Sequence, residues 1–259
     1  MRITLITQDE PFYLPPALDA LCRLEEVGIT GMIVLPSFNE TLIKTARRLY
    51  DFYGPIDFMR LCLRFATAKV CDKANWLTAL TRPFSAEDVA RRHGIPVYHP
   101  EKINAPEFLS ILRDEMRPDL IVSVAASQVF RRDLLEIPTK GCINLHSAPL
   151  PRYQGMMPNF WTMLHKEPHA TVTVHYMAEQ LDAGDIVLQR EVEICPQDSL
   201  HDLMVHSKQV GVEALREAIA LIEQDAAPRR PMDQAGASYF SFPTRADAKR
   251  LRVQGRRLL

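Results

Sequence analysis

Little in this chain points to a disulfide scaffold, a membrane span or a polyanion. Its five cysteines, Cys22, Cys62, Cys71, Cys142 and Cys195, are odd in number and scattered. No two of them have Cys-x-x-Cys or zinc-knuckle spacing, so reduced thiols and a cytoplasmic location are expected. No stretch approaches the ~20 uninterrupted apolar residues of a membrane-spanning helix. The opening apolar run, residues 1–7, is too short for a signal peptide, and acids follow it directly. The formal net charge of −1 supplies no general pull toward nucleic acid or membrane. The turn after the first apolar run, Gln8-Asp9-Glu10-Pro11-Phe12, has two acids and no glycine. Dinucleotide-binding folds place glycines there so that backbone amides reach phosphates, so a nucleotide cofactor is not expected at this point. There is no internal repeat and no low-complexity segment.

What is present is a core. The 259 residues are 47% apolar, which excludes global disorder. Apolar runs at 2–7, 31–35, 96–99 and 119–124 read as strands, and 142–146 reads as another. Helical patterns separate them at 16–27, 85–93 and 106–116. This alternation predicts an α/β fold, a Rossmann-like mostly parallel sheet with helices on both faces. Residues 158–165 read as a further helix, 170–176 and 186–194 as strands, and 199–224 as a long amphipathic helix. Residues 1–225 form the main domain.

Two segments stand outside this pattern. Residues 39–83 read as a helical insertion, capped by Asn39-Glu40-Thr41 and broken at Gly54-Pro55. Its apolar Phe58, Met59, Leu61, Leu63, Phe65 and Val70 are interleaved with Arg60, Arg64 and Lys69. Packing on the sheet is the expectation. A lid, a surface for a homodimer or a lipid-facing patch is the sharper alternative. Residues 226–259 read as a basic C-terminal extension, with Arg245, Lys249, Arg250, Arg252, Arg256 and Arg257 against Asp247. Such a cluster repels itself, and it is expected to serve an anionic ligand rather than the fold.

The chemistry concentrates between the two. Asn144 and His146 lie two apart on the run 142–146, so both point from one face of a strand end. The Pro-rich, Gly-terminated run to Gly155 ends that strand in an irregular loop. Leu181-Asp182-Ala183-Gly184-Asp185 adds a carboxylate at a second turn. Amide, imidazole and carboxylate together compose an acid–base site. By residue type, His146, His175 and Asp182 could also hold zinc, without a short ligand pair to support it. Ser147 lacks the Gly-x-Ser-x-Gly elbow of a serine nucleophile. His175 reads as a packed or surface histidine, and His165, His169, His201 and His206 as solvated.

The ordered pieces Asn144-Leu145-His146, Leu150-Pro151-Arg152-Tyr153-Gln154-Gly155, the strand ending at His175 and Leu181-Asp182-Ala183-Gly184 resemble the 10-formyltetrahydrofolate-dependent formyltransferases. The resemblance covers about 119–203. It departs from the family at Ser147-Ala148-Pro149, where Pro-Ser-Leu is common, and at Gln154, where Arg is often found. It implies the formyltransferase fold, with Asn144, His146 and Asp182 catalytic. It implies 10-formyltetrahydrofolate as co-substrate, no metal, and a pterin held against backbone between Gln128-Val129-Phe130 and Glu179-Gln180-Leu181-Asp182. Val129 and Phe130 read equally well as core. The acceptor it implies is a small-molecule primary amine, expected here to be an amino sugar on a nucleotide carrier. Methionyl-tRNA is the alternative, and a formyltetrahydrofolate hydrolase or a non-catalytic folate-binding protein is the alternative of another class.

Overall fold

Alternation along each strand divides the apolar residues into two cores, one on each side of a single sheet. The structure, a computed structural model, describes residues 1–24, 27–36, 41–75 and 82–259. Strands β1 (Ile3–Gln8) and β2 (Ile29–Leu35) flank helix α1 (Leu14–Cys22). Then follow α2 (Leu42–Asn75), α3 (Ala86–Arg92), β3 (Val97–Tyr98), α4 (Pro106–Ser110, continued as a wider turn to Met116), β4 (Leu120–Val124), α5 (Arg132–Leu135) and β5 (Cys142–His146). The chain continues through β6 (Gln154–Gly155), α6 (Pro158–Leu164), β7 (His169–Tyr176), β8 (Ile186–Glu193), α7 (Leu200–Glu223), β9 (Tyr239–Phe240) and α8 (Arg245–Val253). The main sheet has the order β3-β2-β1-β4-β5-β7-β8. Its first five strands are parallel, β7 runs antiparallel to β5, and β8 antiparallel to β7. The fold class is the one the strand–helix alternation predicts.

Ile3, Leu5, Leu120, Val122, Ile143 and Leu145 point into the larger core, under α1, α3, α6, α7 and α8. Ile6, Ile33, Ile121 and Cys142 point the other way, under α4 and α5. That second face lies under loops rather than a helix at β5, β7 and β8. There Thr173 Oγ1 donates to the Ala148 carbonyl at 2.6 Å, and Gln189 Nε2 donates to Leu150 O and Thr173 Oγ1. Leu150, Ile186 and Met232 close a small apolar cluster beside them. Among the described residues, no helix is long and apolar enough to cross a membrane.

Several elements differ from the sequence reading. Helix α1 starts earlier and ends at Cys22, because Glu10 gathers its N-terminal amides. The Glu10 carboxylate accepts from the N–H groups of Phe12 (2.7 Å), Tyr13 (2.8 Å) and Leu14 (3.2 Å). Burial nevertheless pushes its carboxyl above the ordinary range. The break at Gly54 is present, with φ 72° and ψ 174°. The cap expected at Asn39 and Glu40 lies outside the described residues, as does the end of the insertion. The insertion's apolar residues divide: Phe52, Tyr53, Phe58 and Leu61 pack on the larger core as expected, and others do not. Ile56, Met59, Leu63 and Val70 are about 70% exposed. His201 is half-buried rather than solvated, with its Nδ1 2.8 Å from the Tyr13 hydroxyl.

Where the sequence reading expected the basic C-terminal segment to serve an anionic ligand, three of its arginines serve the fold, while Arg245 faces an open concavity. A helix end leaves carbonyls without partners, and guanidinium groups supply donors to them. Arg252 donates to the carbonyls of Phe52 and Tyr53, freed where α2 breaks. Arg256 donates to Cys195 O and Pro196 O, and Arg257 to Gln197 O. In return, the carbonyls of Arg257 and Leu258 accept the first amides of α7, from Leu200 (2.9 Å) and His201 (3.1 Å). Leu258 is 1% exposed and belongs to the larger core. Leu258→Ala is therefore expected to cost about 2–4 kcal/mol, the range for a buried leucine. Urea denaturation would check this, and an unchanged midpoint would contradict the packing described.

Candidate active site

The strand register decides which polar side chains meet. Asn144 and His146 share the loop-covered face of β5, as their spacing predicts. The antiparallel register sets His175 directly opposite Asn144 and Thr173 opposite His146. His146 and Asp182 are each 8% exposed, His175 2%. Asp182 arrives from the β7–β8 connection with φ 50°, a left-handed conformation that Asp tolerates better than most residues. Gly184 lets that connection turn back beneath β7. A Cβ there would lie 2.0 Å from the Tyr176 carbonyl oxygen.

Three consecutive residues hold this set in place. The Tyr153 carbonyl lies 2.9 Å from His146 Nε2, and a carbonyl only accepts, so that nitrogen carries a proton. Gln154 Nε2 donates to the Asp182 carbonyl at 3.0 Å. The Gly155 N–H donates to Asp182 Oδ2 at 3.0 Å. The remaining oxygen, Oδ1, lies 3.8 Å from both His146 Nδ1 and His175 Nε2. Residues 153–155 are held in turn by the C-terminal segment. Ser238 Oγ accepts from the Tyr153 N–H, and Ser238 O from the Gln154 N–H. Gly155, with φ 93°, passes so close to β9 that a Cβ would sit 2.4 Å from Phe240 O. Tyr153 and Trp161 both stack on the Phe240 ring.

Tautomers follow from the partners. His175 Nδ1 donates to the Tyr176 carbonyl at 2.8 Å, so its Nε2 is an acceptor and takes a hydrogen bond from the Asn144 amide at 3.2 Å. An amide NH2 has two donors, so Asn144 keeps one for another group. Burial, and then the neighbouring His146, hold His175 below the ordinary imidazole range. It is thus a neutral residue that orients Asn144. The sequence reading missed this role, because only the β5–β7 register brings the two together. The zinc alternative fits poorly, since both Nε2 atoms are engaged by Tyr153 O and Asn144.

The other expected site residues line the neighbouring loops. Gln128 accepts from the Ile103 N–H and donates to Glu101 O, so its side chain braces the loop before α4. The Val129 carbonyl takes the Asn104 amide at 2.8 Å, while the Val129 side chain is 55% exposed. Phe130 is 1% exposed and fills the second core, so only its backbone is offered. Glu179 and Gln180 are exposed, and Leu181 is 47% exposed. Glu179 lies close enough to Arg132 of α5 to help hold its charge, which places the two loops side by side.

A second concavity of about 560 Å³ opens between α2 and the start of α8. Lys44, Arg47, Arg48 and Arg245 surround it, with Asp51 the one acid among the described lining residues and Phe52 and Phe242 as apolar floor. The Arg48 guanidinium lies 4.7 Å from the centre of the Phe242 ring. The segment 239–245 joins this cleft to the site.

The comparisons place the chain within a known family and fold. Residues 66–219 match the family model described as formyl transferase, a span that contains Asn144, His146, His175 and Asp182. A methionyl-tRNA formyltransferase of Syntrophus aciditrophicus is 41% identical over 158 residues, 61% of this chain and 50% of that protein. That of Clostridioides difficile is 38% identical over 156 residues, 59% and 49% of the respective chains. The chain thus spans about half the length of the curated relatives it matches. The solved phosphoribosylglycinamide formyltransferase of Anaplasma phagocytophilum has the same fold, with TM-score 0.59 at 17% identity, covering 87% of this chain and 88% of that one. So does WlaRD, a sugar 3N-formyl transferase solved with dTDP and 5-N-formyl-THF, with TM-score 0.58 at 17% identity over 93% and 69%.

A buried neutral histidine makes the site sensitive to acid. Its folded pKa is lowered, so its contribution to stability is present above the unfolded value of ~6.5 and is lost as pH falls below it. In His175→Gln, the loss of urea stability on acidification from neutrality should be shallower than in the wild type. Parallel pH profiles of the two proteins would contradict the assignment.

Proposed function

The chain belongs to the formyl transferase family, and from that premise we propose that it transfers a formyl group from 10-formyltetrahydrofolate to a primary amine. The observation that carries this reading is the convergence of Asn144, His146 and Asp182 within one hydrogen-bonded frame. The folate supplies an activated formyl carbon. When an amine attacks that carbon, the former carbonyl oxygen gains negative charge and the nitrogen gains positive charge. The second N–H of Asn144 donates to the oxyanion. His146 donates from Nδ1 once that nitrogen is protonated, since Nε2 is tied to Tyr153 O. Each such donor is worth about 3–4 kcal/mol in the transition state. Asp182 Oδ1 stands beside Nδ1 and favours the imidazolium. The same carboxylate takes up the amine proton, directly or through water. As the oxyanion collapses, the bond from the formyl carbon to the folate nitrogen breaks, and that nitrogen receives the proton and leaves as tetrahydrofolate.

The acceptor reading departs from the amino sugar that the sequence suggested. Curated relatives 38–41% identical over the matched residues are methionyl-tRNA formyltransferases, and they favour an aminoacyl end of RNA as the amine. The cleft supports this choice, since cations over an aromatic floor suit a phosphodiester chain beside a base.

His146→Ala and Asp182→Asn should each lower turnover by at least ~100-fold, with circular dichroism unchanged. Near-wild-type rates in either variant would defeat the mechanism. Lys44→Glu together with Arg47→Glu should raise KM for methionyl-tRNA with kcat retained, and flatten its salt dependence by roughly two charges. Turnover of a nucleotide-linked amino sugar without turnover of methionyl-tRNA would return the acceptor to the sugar class. Tetrahydrofolate release without any amine would make the protein a hydrolase.

A further inference from the structure

Helix α2 presents an apolar edge to solvent that the fold does not use. Ile56 is 68% exposed, Met59 71%, Leu63 70% and Val70 67%, and Ala66 lies in line with them. Their spacing is three, four, three, four, the a/d repeat by which helices pair along a seam. The opposite edge, Leu61, Ala68 and Asn75, faces the body of the protein. A contiguous apolar edge of this kind marks an interaction surface.

Residue sizes along the edge identify the occupant. With one copy reversed against another, Leu63 meets the partner's Ala66, and Met59 meets the partner's Val70. Large residues then face small or branched ones across the four central layers, as close packing requires, and Ile56 lies at the seam's end against the stem of the partner's Lys73. A parallel pair would instead set Ala66 on Ala66 between two bulky layers, leaving a void. Charges agree with the reversed arrangement. Arg60 then borders the partner's Thr67, and Lys69 the partner's Cys62, so no two cations meet. Each contact occurs twice about the axis, which is what an isologous two-fold interface demands. We propose that α2 is the self-complementary surface of a homodimer, paired antiparallel along Ile56, Met59, Leu63, Ala66 and Val70. The proposal is independent of the acceptor, because the edge lies on the side of α2 away from the catalytic frame.

Sedimentation equilibrium of the whole chain tests it. The wild type should move from 29.5 kDa toward twice that mass across the micromolar range. Leu63→Glu, which replaces an exposed residue, should stay at 29.5 kDa with an unchanged circular dichroism spectrum. A chain with Arg60→Cys and Thr67→Cys, in a Cys62→Ser and Cys71→Ser background, should cross-link on oxidation. The two new thiols are seven residues apart on one helix, about 10 Å. That exceeds the reach of an internal disulfide, so the bond forms only between reversed copies. A wild type that remains 29.5 kDa at high concentration overturns the proposal. So does a Leu63→Glu variant that still dimerises. A monomer that instead binds phosphatidylglycerol vesicles, and loses them on Leu63→Glu, reassigns the edge to a lipid surface.

Discussion

Asp182 is positioned by its neighbours across space rather than by its own strand. Its carbonyl hangs from Gln154 and its carboxylate from the Gly155 amide, while the adjacent Tyr153 carbonyl holds His146. A buried carboxylate left without donors costs several kcal/mol, and this latch supplies the donors. It also leaves one oxygen, Oδ1, directed at both histidines. The latch depends on β9, because Ser238 and Phe240 hold the backbone of 153–156. The carboxylate in mid-chain is therefore stabilised by a segment more than fifty residues later.

The same dependence explains the C-terminal arginines. A cluster of like charges is costly in water-exposed isolation, yet three guanidinium groups here meet backbone carbonyls that a helix break or a turn leaves without partners. That account holds for Arg252, Arg256 and Arg257, whose charge is offset by charge-assisted hydrogen bonds, whereas Arg250 pairs with Asp247 and Arg245 lines the basic concavity. Beside the start of α7, where Tyr13 meets His201, Glu10 plays the complementary part. It takes the amides at the start of α1, where dinucleotide folds hold phosphate, and so closes that position with the chain's own anion. The basic concavity lies instead between α2 and α8.

The parallel sheet, the two cores and the common direction of Asn144 and His146 were legible in the sequence. Each follows from local periodicity, which is a property of neighbours along the chain. The importance of Asp182 was legible from its turn, and Gly184 beside it has a steric reason. His175 was not, because its strand pattern is that of any packed residue until the register sets it against Asn144. Gln154 read as a departure from family habit, whereas in the fold it is the donor to Asp182. The apolar face of α2 read as core, because periodicity shows that a face exists but not what covers it.

By itself, then, the sequence determined the α/β class, the order of the strands along the chain and the common direction of Asn144 and His146, and it pointed to Asp182 as the third residue of the proposed acid–base set. The tertiary structure decided which side chains orient that set, and that the C-terminal segment belongs to the frame of the site. It also decided that α2 turns an apolar edge outward. The division has one physical cause. Hydrophobic period and turn chemistry act over a few residues, whereas hydrogen bonds between β5 and β7 or between β6 and β9 join residues dozens of positions apart. Such partners are chosen by strand register and loop closure, which exist only once the chain is folded.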